Sequence, residues 1–144
     1  MANYYASART NYFRVKDIEA FTEEVEKYDL EVVNESKEDG LVALFVPDSS
    51  DDGSFPWCDY YTEDADGDEI PWADIFARHL QENSVVIIQE VGSEKLRYFG
   101  GLAVAYNSKG EEITININDI FGKALALGEV IDFWGNTIKP TKEN

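Results

Sequence analysis

Carboxylates and hydroxyls at the spacing of a calcium loop are the residues of this chain whose types and order most directly suggest chemistry. In residues 48–59, side-chain oxygens occupy positions 1, 3, 5 and 12, a glycine occupies position 6 and an apolar residue occupies position 8. Ca²⁺ takes oxygen ligands in this order from a twelve-residue loop with a glycine at its sharp turn. The candidate ligands are Asp48, Ser50, Asp52 and Asp59.

The flanking sequence departs from the usual setting of such a loop, which joins two helices. Pro47 precedes this loop at the end of a predicted strand, and Pro56 interrupts its second half. Position 12 is Asp59, which is shorter than the bidentate glutamate usually found there. Asp-Gly turns are also common on acidic surfaces. Calcium binding by this loop is therefore an alternative hypothesis, and no other cofactor is predicted.

Catalytic equipment is sparse, because the chain has one histidine and one cysteine. His79 lies near the end of a predicted helix, and its neighbouring sequence offers no particular partner for a general base. Cys58 precedes Asp59, and acidic neighbours disfavour the thiolate that a nucleophile needs. Gly100-Gly101 falls inside a predicted strand, where it indicates a bend or a close backbone approach in the sheet rather than a phosphate loop. We therefore expect a protein that is not an enzyme.

Net charge is the strongest feature of the composition. The chain carries 12 Lys and Arg against 29 Asp and Glu, which gives a net charge of −17 over 144 residues. Residues 38–77, here called the acidic segment, contain twelve acids and no Lys or Arg, so they alone supply −12. The remaining residues supply only −5. The sequence therefore predicts an ordinary domain that carries one strongly acidic segment.

Aromatic residues are interspersed among the acids of the acidic segment. Aromatics can anchor a loop on a core, or they can form a contact surface, because they are enriched at interface hot spots. We predict that carboxylates of this segment contact a basic partner and that three aromatics anchor the contact. The carboxylates are Asp51, Asp52, Asp59, Glu63, Asp64, Asp66 and Asp68, and the aromatics are Trp57, Tyr60 and Tyr61.

Charge and composition also exclude several classes of protein. A chain of net charge −17 will not bind nucleic acid or anionic lipid through a broad basic face. No apolar run reaches the ~18 residues that span a bilayer, and the N-terminus lacks the pattern of a secretory signal. We therefore expect a cytoplasmic protein that binds neither nucleic acid nor membranes directly. The composition leaves the oligomeric state open.

Hydrophobic periodicity predicts about three helices. Asp17 caps a first helix over 18–28, whose apolar stripe opposes a face of solvated acids that includes Glu24. A second helix is predicted over 71–83, because proline suits the first helical turn and asparagine can end a helix. A third helix is predicted to end at Gly128.

Short turns between apolar runs predict antiparallel strands. Turn residues are found at 37–40, 92–95 and 107–110. Because the helices fall between groups of strands rather than alternating with them, the order predicts an α+β fold with a mainly antiparallel sheet. No linker or repeat interrupts the chain, so residues 1–144 are predicted to form a single domain.

The last third of the chain contains two further patterns that bear on burial. In residues 112–117, isoleucines alternate with polar residues, which is typical of a half-buried antiparallel strand. The run 85–91 is nearly all apolar and is predicted to be a central strand. Apolar residues in 130–134 are expected to pack back on the body of the protein.

Three stretches of the chain resemble segments of small acidic proteins encoded on bacterial plasmids, phages and integrated elements. They are residues 3–15 (NYYASARTNYFRV), 94–98 (EKLRY) and 103–110 (AVAYNSKG). In charge and size the chain is also similar to anti-restriction and anti-CRISPR proteins, several of which imitate DNA. The first resemblance implies no known activity. The second identifies no site residues in this chain, because it concerns only charge and size.

Two functional hypotheses and a simpler one follow from the acidic segment. The favoured hypothesis is a non-enzymatic interaction protein that inhibits a basic, nucleic-acid-binding partner by presenting DNA-like negative charge. The alternative is a calcium-binding or enzymatic module in which the loop at 48–59 is ordered by the metal. The simplest hypothesis is that the charge serves solubility alone.

Overall fold

The computed structural model describes residues 4–34, 40–47, 53–60, 62, 66–94 and 98–139, without the side chains of Tyr4 and Tyr98. In chain order the elements are β1 (Tyr4–Thr10), β2 (Phe13–Arg14), α1 (Ile18–Val25) with a following 3-10 turn (Glu26–Tyr28), β3 (Glu31–Val33), β4 (Leu41–Phe45), α2 (Trp72–His79), β5 (Val85–Glu94), β6 (Tyr98–Asn107), β7 (Glu112–Asn116) and α3 (Asp119–Ala124).

All seven strands belong to one antiparallel sheet in the order β2-β4-β1-β5-β6-β7, with β3 paired to β4. The longest ladder joins β5 to β6, from Val85 opposite Asn107 to Glu94 opposite Tyr98. On its other side β5 pairs with β1 along the whole length of β1. The α+β prediction with an antiparallel sheet and three helices is therefore confirmed, as is the central position of β5.

One face of the sheet, here called the inner face, carries the hydrophobic core. On β5 and β6 the even-numbered side chains point to this face, and Val86, Ile88 and Val104 are buried there. Helices α1 and α2 cover it with Phe21, Val25, Ile75 and Phe76, which belong to the same cluster. The apolar stripe predicted for α1 is therefore confirmed, because it faces the core.

Three predictions that rest on short stretches of sequence agree with the structure. Asp17 caps α1, since its carboxylate accepts a hydrogen bond from the backbone N–H of Ala20 at 3.2 Å. Strands β3 and β4 pair antiparallel, as the predicted hairpin requires, although most of its turn lies outside the described residues. Gly101 shows the expected close approach, because a Cβ there would lie 3.1 Å from Cβ of Ile117.

Several boundaries and burial predictions were wrong. Residues 92–94 continue β5 rather than turning the chain, because they pair with β6. Strand β7 is exposed along its whole length rather than half-buried. In the tail Ile131, Phe133 and Trp134 are exposed, so they do not pack back on the core as expected. Helix α2 ends at His79, earlier than the predicted Asn83.

Thr10 is the buried polar side chain that joins two strands, and its hydroxyl should matter for stability. The Thr10 Oγ1 donates to the carbonyl of Asn11 and accepts from the N–H of Leu44, each at 2.8 Å. Thr10→Val keeps the shape but leaves the Leu44 N–H without that acceptor. We expect a loss of ~1–3 kcal/mol in the free energy of unfolding, measured by urea denaturation. Thr10→Ser is the control, and equal stability of the two variants would contradict the prediction.

Candidate functional site

A row of aromatic rings anchors the described part of the acidic segment on the core. Starting from Tyr106 on β6, the row continues through Phe76 and Trp72 of α2 to Phe55 and Trp57. Neighbouring ring centroids lie 4.9–5.5 Å apart. Phe55 and Trp72 are almost fully buried. Burial of aromatic surface thus holds this acid-rich chain against the inner face of the sheet.

A carboxylate of the sheet adds polar contacts to this anchor. The Glu90 Oε1 on β5 accepts hydrogen bonds from the backbone N–H of Phe55 at 2.7 Å and from the Trp57 indole N–H at 3.1 Å. Nearby, Gly53 has a φ of +78°, and a Cβ there would lie 2.0 Å from the carbonyl oxygen of Ala6. Glycine is therefore required at this position, because the segment touches the backbone of β1.

Backbone hydrogen bonds fold the acidic segment on itself. The Asp59 N–H donates to the carbonyl of Asp68 at 2.8 Å, and the Ile70 N–H donates to the carbonyl of Trp57 at 2.8 Å. A bridge between Cys58 and Glu69 lies between these bonds. The Trp72 indole N–H also donates to the carbonyl of Pro56 at 2.9 Å. The described carboxylates of this region are therefore carried on hydrogen-bonded backbone.

A groove of about 460 Å³ lies between residues 57–58 and 69–71 of the acidic segment, helix α2, and strands β6 and β7. We call it the acidic groove. Its apolar and aromatic walls come from all three parts, and three carboxylates and a cysteine also line it. The lining residues are Trp57, Cys58, Glu69, Ile70, Pro71, Trp72, Ala73, Asp74, Leu102, Val104, Tyr106, Glu112 and Thr114. None of these described lining residues is a Lys, an Arg or a His.

The electrostatics of the acidic groove are negative. Burial, together with the nearby carboxylates of Glu112 and Glu69, raises the pKa of Tyr106 to about 12, because each disfavours the charged phenolate. Asp74 has a cation within reach, since its carboxylate lies 3.5 Å from Arg78 Nε. Within the described part of the chain, Glu69 and Glu112 form no such pair. The groove therefore combines an aromatic wall with unbalanced negative charge.

The structure describes five of the ten predicted partner-contacting residues. Tyr60 is 73% exposed, and its ring lies over Gly67. Asp66 and Asp68 are exposed, and the charge of Asp66 raises the pKa of Asp68. Trp57 lines the acidic groove, whereas Asp59 lies beside it in the fold of the segment. The other five, Asp51, Asp52, Tyr61, Glu63 and Asp64, lie outside the described residues.

The calcium hypothesis stays a prediction. Of the four candidate ligands, Asp48, Ser50 and Asp52 lie outside the described residues. Both carboxylate oxygens of Asp59 accept hydrogen bonds from Thr62, at 3.1 Å from its N–H and 2.6 Å from its hydroxyl. Asp59 thus holds a turn. Over the described ranges, no three His, Cys, Asp or Glu side chains are grouped so as to hold a metal ion.

His79 has a partner that the sequence did not indicate. Its Nε2 lies 2.6 Å from Glu24 Oε1, and Arg78 binds the same carboxylate with two nitrogens, at 2.9 and 2.8 Å. The prediction that Glu24 lies on a solvated face was therefore wrong. Hydrogen bonds with Arg78 chiefly, and with His79, lower the pKa of Glu24 to about 2. This cluster joins α1 to α2.

Sequence reasoning missed the residues that β6 and β7 bring to the acidic groove. Glu112 and Thr114 lie about forty residues beyond Trp72 in the chain, so no local spacing connects them. The sequence did show that polar residues alternate with isoleucines along β7, and Glu112 and Thr114 are two of these polar residues. In the sequence alone, nothing distinguishes Tyr106 and Trp72 from ordinary core aromatics.

Comparison with known proteins does not place the chain in a family. No family model matches it, and neither a curated protein nor a solved structure is similar enough to count as a match. The resemblance to acidic proteins of mobile elements therefore stays a prediction. Among the described helices, none is long and apolar enough to cross a membrane.

Acid should weaken the cluster that joins α1 to α2. The folded pKa of Glu24 is about 2, below its ordinary 4.5, so its contribution to stability is complete above pH 4.5 and is lost towards pH 2. At neutral pH we expect Glu24→Gln to lower the free energy of unfolding by about 2 kcal/mol, and we expect this deficit to shrink in acid. Chemical denaturation at several pH values measures it.

The matched control for Glu24 is Glu23→Gln, which removes an exposed carboxylate from the same helix. This control should change stability little at any pH, because an exposed charge on a helix contributes little. A deficit for Glu24→Gln that stayed constant down to pH 2 would contradict the assignment.

Proposed function

We propose that the protein is a non-enzymatic interaction protein that binds a basic protein partner through the acidic segment and the acidic groove. The observation that carries this proposal is the groove itself. Trp57, Trp72 and Tyr106 line its apolar part, and Glu69 and Glu112 place negative charge beside these rings. A basic partner is the class of macromolecule whose charge complements this surface.

The chemistry of the acidic groove suits a long cationic side chain. The methylene groups of Lys or Arg can lie along apolar rings while the charged end meets a carboxylate. Cations also bind favourably over aromatic faces, and most strongly over tryptophan. Half-buried Trp57 is the candidate ring in the groove, since Trp72 and Tyr106 are almost fully buried. A volume of about 460 Å³ is within the range of small ligand sites, so such a side chain fits. Exposed Tyr60, Asp66 and Asp68 extend the complementary surface.

The finer part of the proposal concerns the identity of the basic partner. Proteins that bind nucleic acid carry basic faces, and these faces respond to arrays of anions that resemble phosphates. A chain with twelve acids in forty residues and anchored carboxylates offers such an array. We propose that occupation of a nucleic-acid site inhibits the partner, as expected for an anti-restriction or anti-CRISPR type of protein.

Neutralising the acidic groove should weaken binding to a basic peptide. The test uses a fluorescent oligolysine peptide and fluorescence anisotropy at low salt. We expect Glu69→Gln combined with Glu112→Gln to raise Kd about tenfold, because two carboxylates that face the bound cation are lost. Both residues are exposed, so the fold should persist. Added salt should weaken binding by the wild-type chain.

The control is Glu19→Gln combined with Glu23→Gln, which changes the net charge equally on the exposed face of α1. This control should alter Kd less than twofold, because its charges lie outside the groove. Equal weakening by the two double variants would mean that net charge alone attracts the peptide. That result would overturn the groove as the binding site.

Inhibition of a nucleic-acid-binding enzyme is a separate expected outcome. A set of restriction endonucleases, assayed for cleavage of plasmid DNA, tests whether the chain protects the DNA. We expect inhibition of at least one enzyme, relieved by salt and reduced in the Glu69→Gln, Glu112→Gln variant. Cleavage that is unaffected at any concentration of the chain would contradict the DNA-like mechanism for these enzymes, while the peptide test above would still stand.

A further inference from the structure

The face of the sheet opposite the core, here called the outer face, is apolar and has no covering element among the described residues. It is formed by the odd-numbered side chains of β1, β5, β6 and β7, which the ladder registers place side by side. Large apolar side chains are exposed there. They are Tyr5, Val85, Ile87, Val91, Phe99, Ile113 and Ile115.

Acidic residues are absent from these outward positions. The described outward residues are Tyr5, Ser7 and Arg9 on β1, Val85, Ile87, Gln89, Val91 and Ser93 on β5, Phe99, Gly101, Ala103, Ala105 and Asn107 on β6, and Ile113 and Ile115 on β7. Arg9 is the one charged side chain in this set, and its guanidinium lies 4.3 Å from the centre of the Phe45 ring. In a chain with 29 acids, the described outward positions of these four strands thus carry none, and by register Glu31 of β3, opposite Phe45, is an outward acid beyond them.

We infer that the outer faces of two copies of this chain pack against each other in a two-fold dimer. Two chains of net charge −17 repel each other wherever acids meet. The outer face is the broad surface on which they can approach without placing one carboxylate against another. A sheet face is also self-complementary, since two sheets pack face to face with their side chains interdigitated.

The size of the outer face fits this occupant. With strands ~4.8 Å apart and a rise of ~3.3 Å per residue, β1, β5, β6 and β7 cover roughly 500 Å² in projection. Two such faces together cover roughly 1,000 Å², which is about the lower limit for a specific interface between proteins. Exposed apolar patches above a few hundred Å² are rare on monomers and mark sites of association.

The chain that follows β7 adds apolar surface beside this face. Ile117 packs over Gly101 and is 54% exposed, and α3 begins two residues later. No residue of α3 is buried, and Leu127 is 92% exposed. Ile117 therefore extends the apolar surface of the outer face beyond the end of β7, and association would remove it from water.

Substitution on the outer face tests the dimer. The wild-type chain should run at twice the mass of one chain in size-exclusion chromatography with light scattering. Ile115→Lys should raise the dimer Kd at least about a hundredfold, because it buries an unpaired charge in the interface. Ile115 is 62% exposed in the single chain, so the variant should keep the wild-type Tm at dilutions where both are monomeric.

A matched control and a second variant keep the test independent of folding. Asn116→Lys adds the same charge to the next residue of β7, which points away from the outer face, and it should leave the dimer intact. Val91→Lys, on β5, should dissociate the dimer as Ile115→Lys does. A wild-type chain that is monomeric at all concentrations, or a dimer that survives both outer-face variants, would overturn the inference.

Salt separates this association from binding of a basic partner. Screening of the net charge should strengthen the dimer, since the interface is apolar and the repulsion between chains is screened. Binding of the oligolysine peptide should weaken under the same conditions. Ile115→Lys should still bind the peptide, because Ile115 lies outside the acidic groove, so the two proposals can fail separately.

Discussion

The pleat of one sheet determines the rest of this structure. Successive side chains of β5 and β6 point to opposite faces, so Val86 and Ile88 are buried while Val85 and Ile87 remain exposed. Both helices of the core and the described acidic segment lie on the inner face. As a result, one face of the sheet supports the core and the acidic groove, and the other remains a largely apolar surface that no described element covers.

Anchoring of the acidic segment depends on aromatic burial that offsets the repulsion among its charges. Phe55 and Trp72 are removed from water, and Glu90 binds the backbone of Phe55 and the indole of Trp57. In general, a highly charged segment without apolar anchors does not fold, because its like charges repel one another and it buries too little apolar surface. Three rings of this row, those of Trp57, Trp72 and Tyr106, also line the acidic groove, so side chains that stabilise the anchor also border the proposed site of cation recognition.

The two proposed surfaces place opposite chemistry on opposite sides of the molecule. The acidic groove carries unbalanced carboxylates, whereas the described outward positions of the outer face carry mostly apolar side chains, a few uncharged polar ones and one arginine. A charged contact weakens in salt, and an apolar contact between like-charged chains strengthens. A two-fold dimer formed through the outer faces would leave both acidic grooves on its outside, available to partners.

The sequence by itself determined the location of the charge, the antiparallel pairing and the cap of α1 by Asp17, because these depend on neighbouring residues or short turns. It could not determine which faces are covered. Alternation along β7 shows that the two faces differ, but burial requires another element to lie on one of them, and the described part of the chain leaves every residue of β7 exposed. The acidic groove also required tertiary structure, because Glu112 reaches Glu69 and Trp72 only when β7 pairs with β6 beside α2. Local spacing therefore predicts what one element will form, whereas contacts between distant elements decide where its side chains meet.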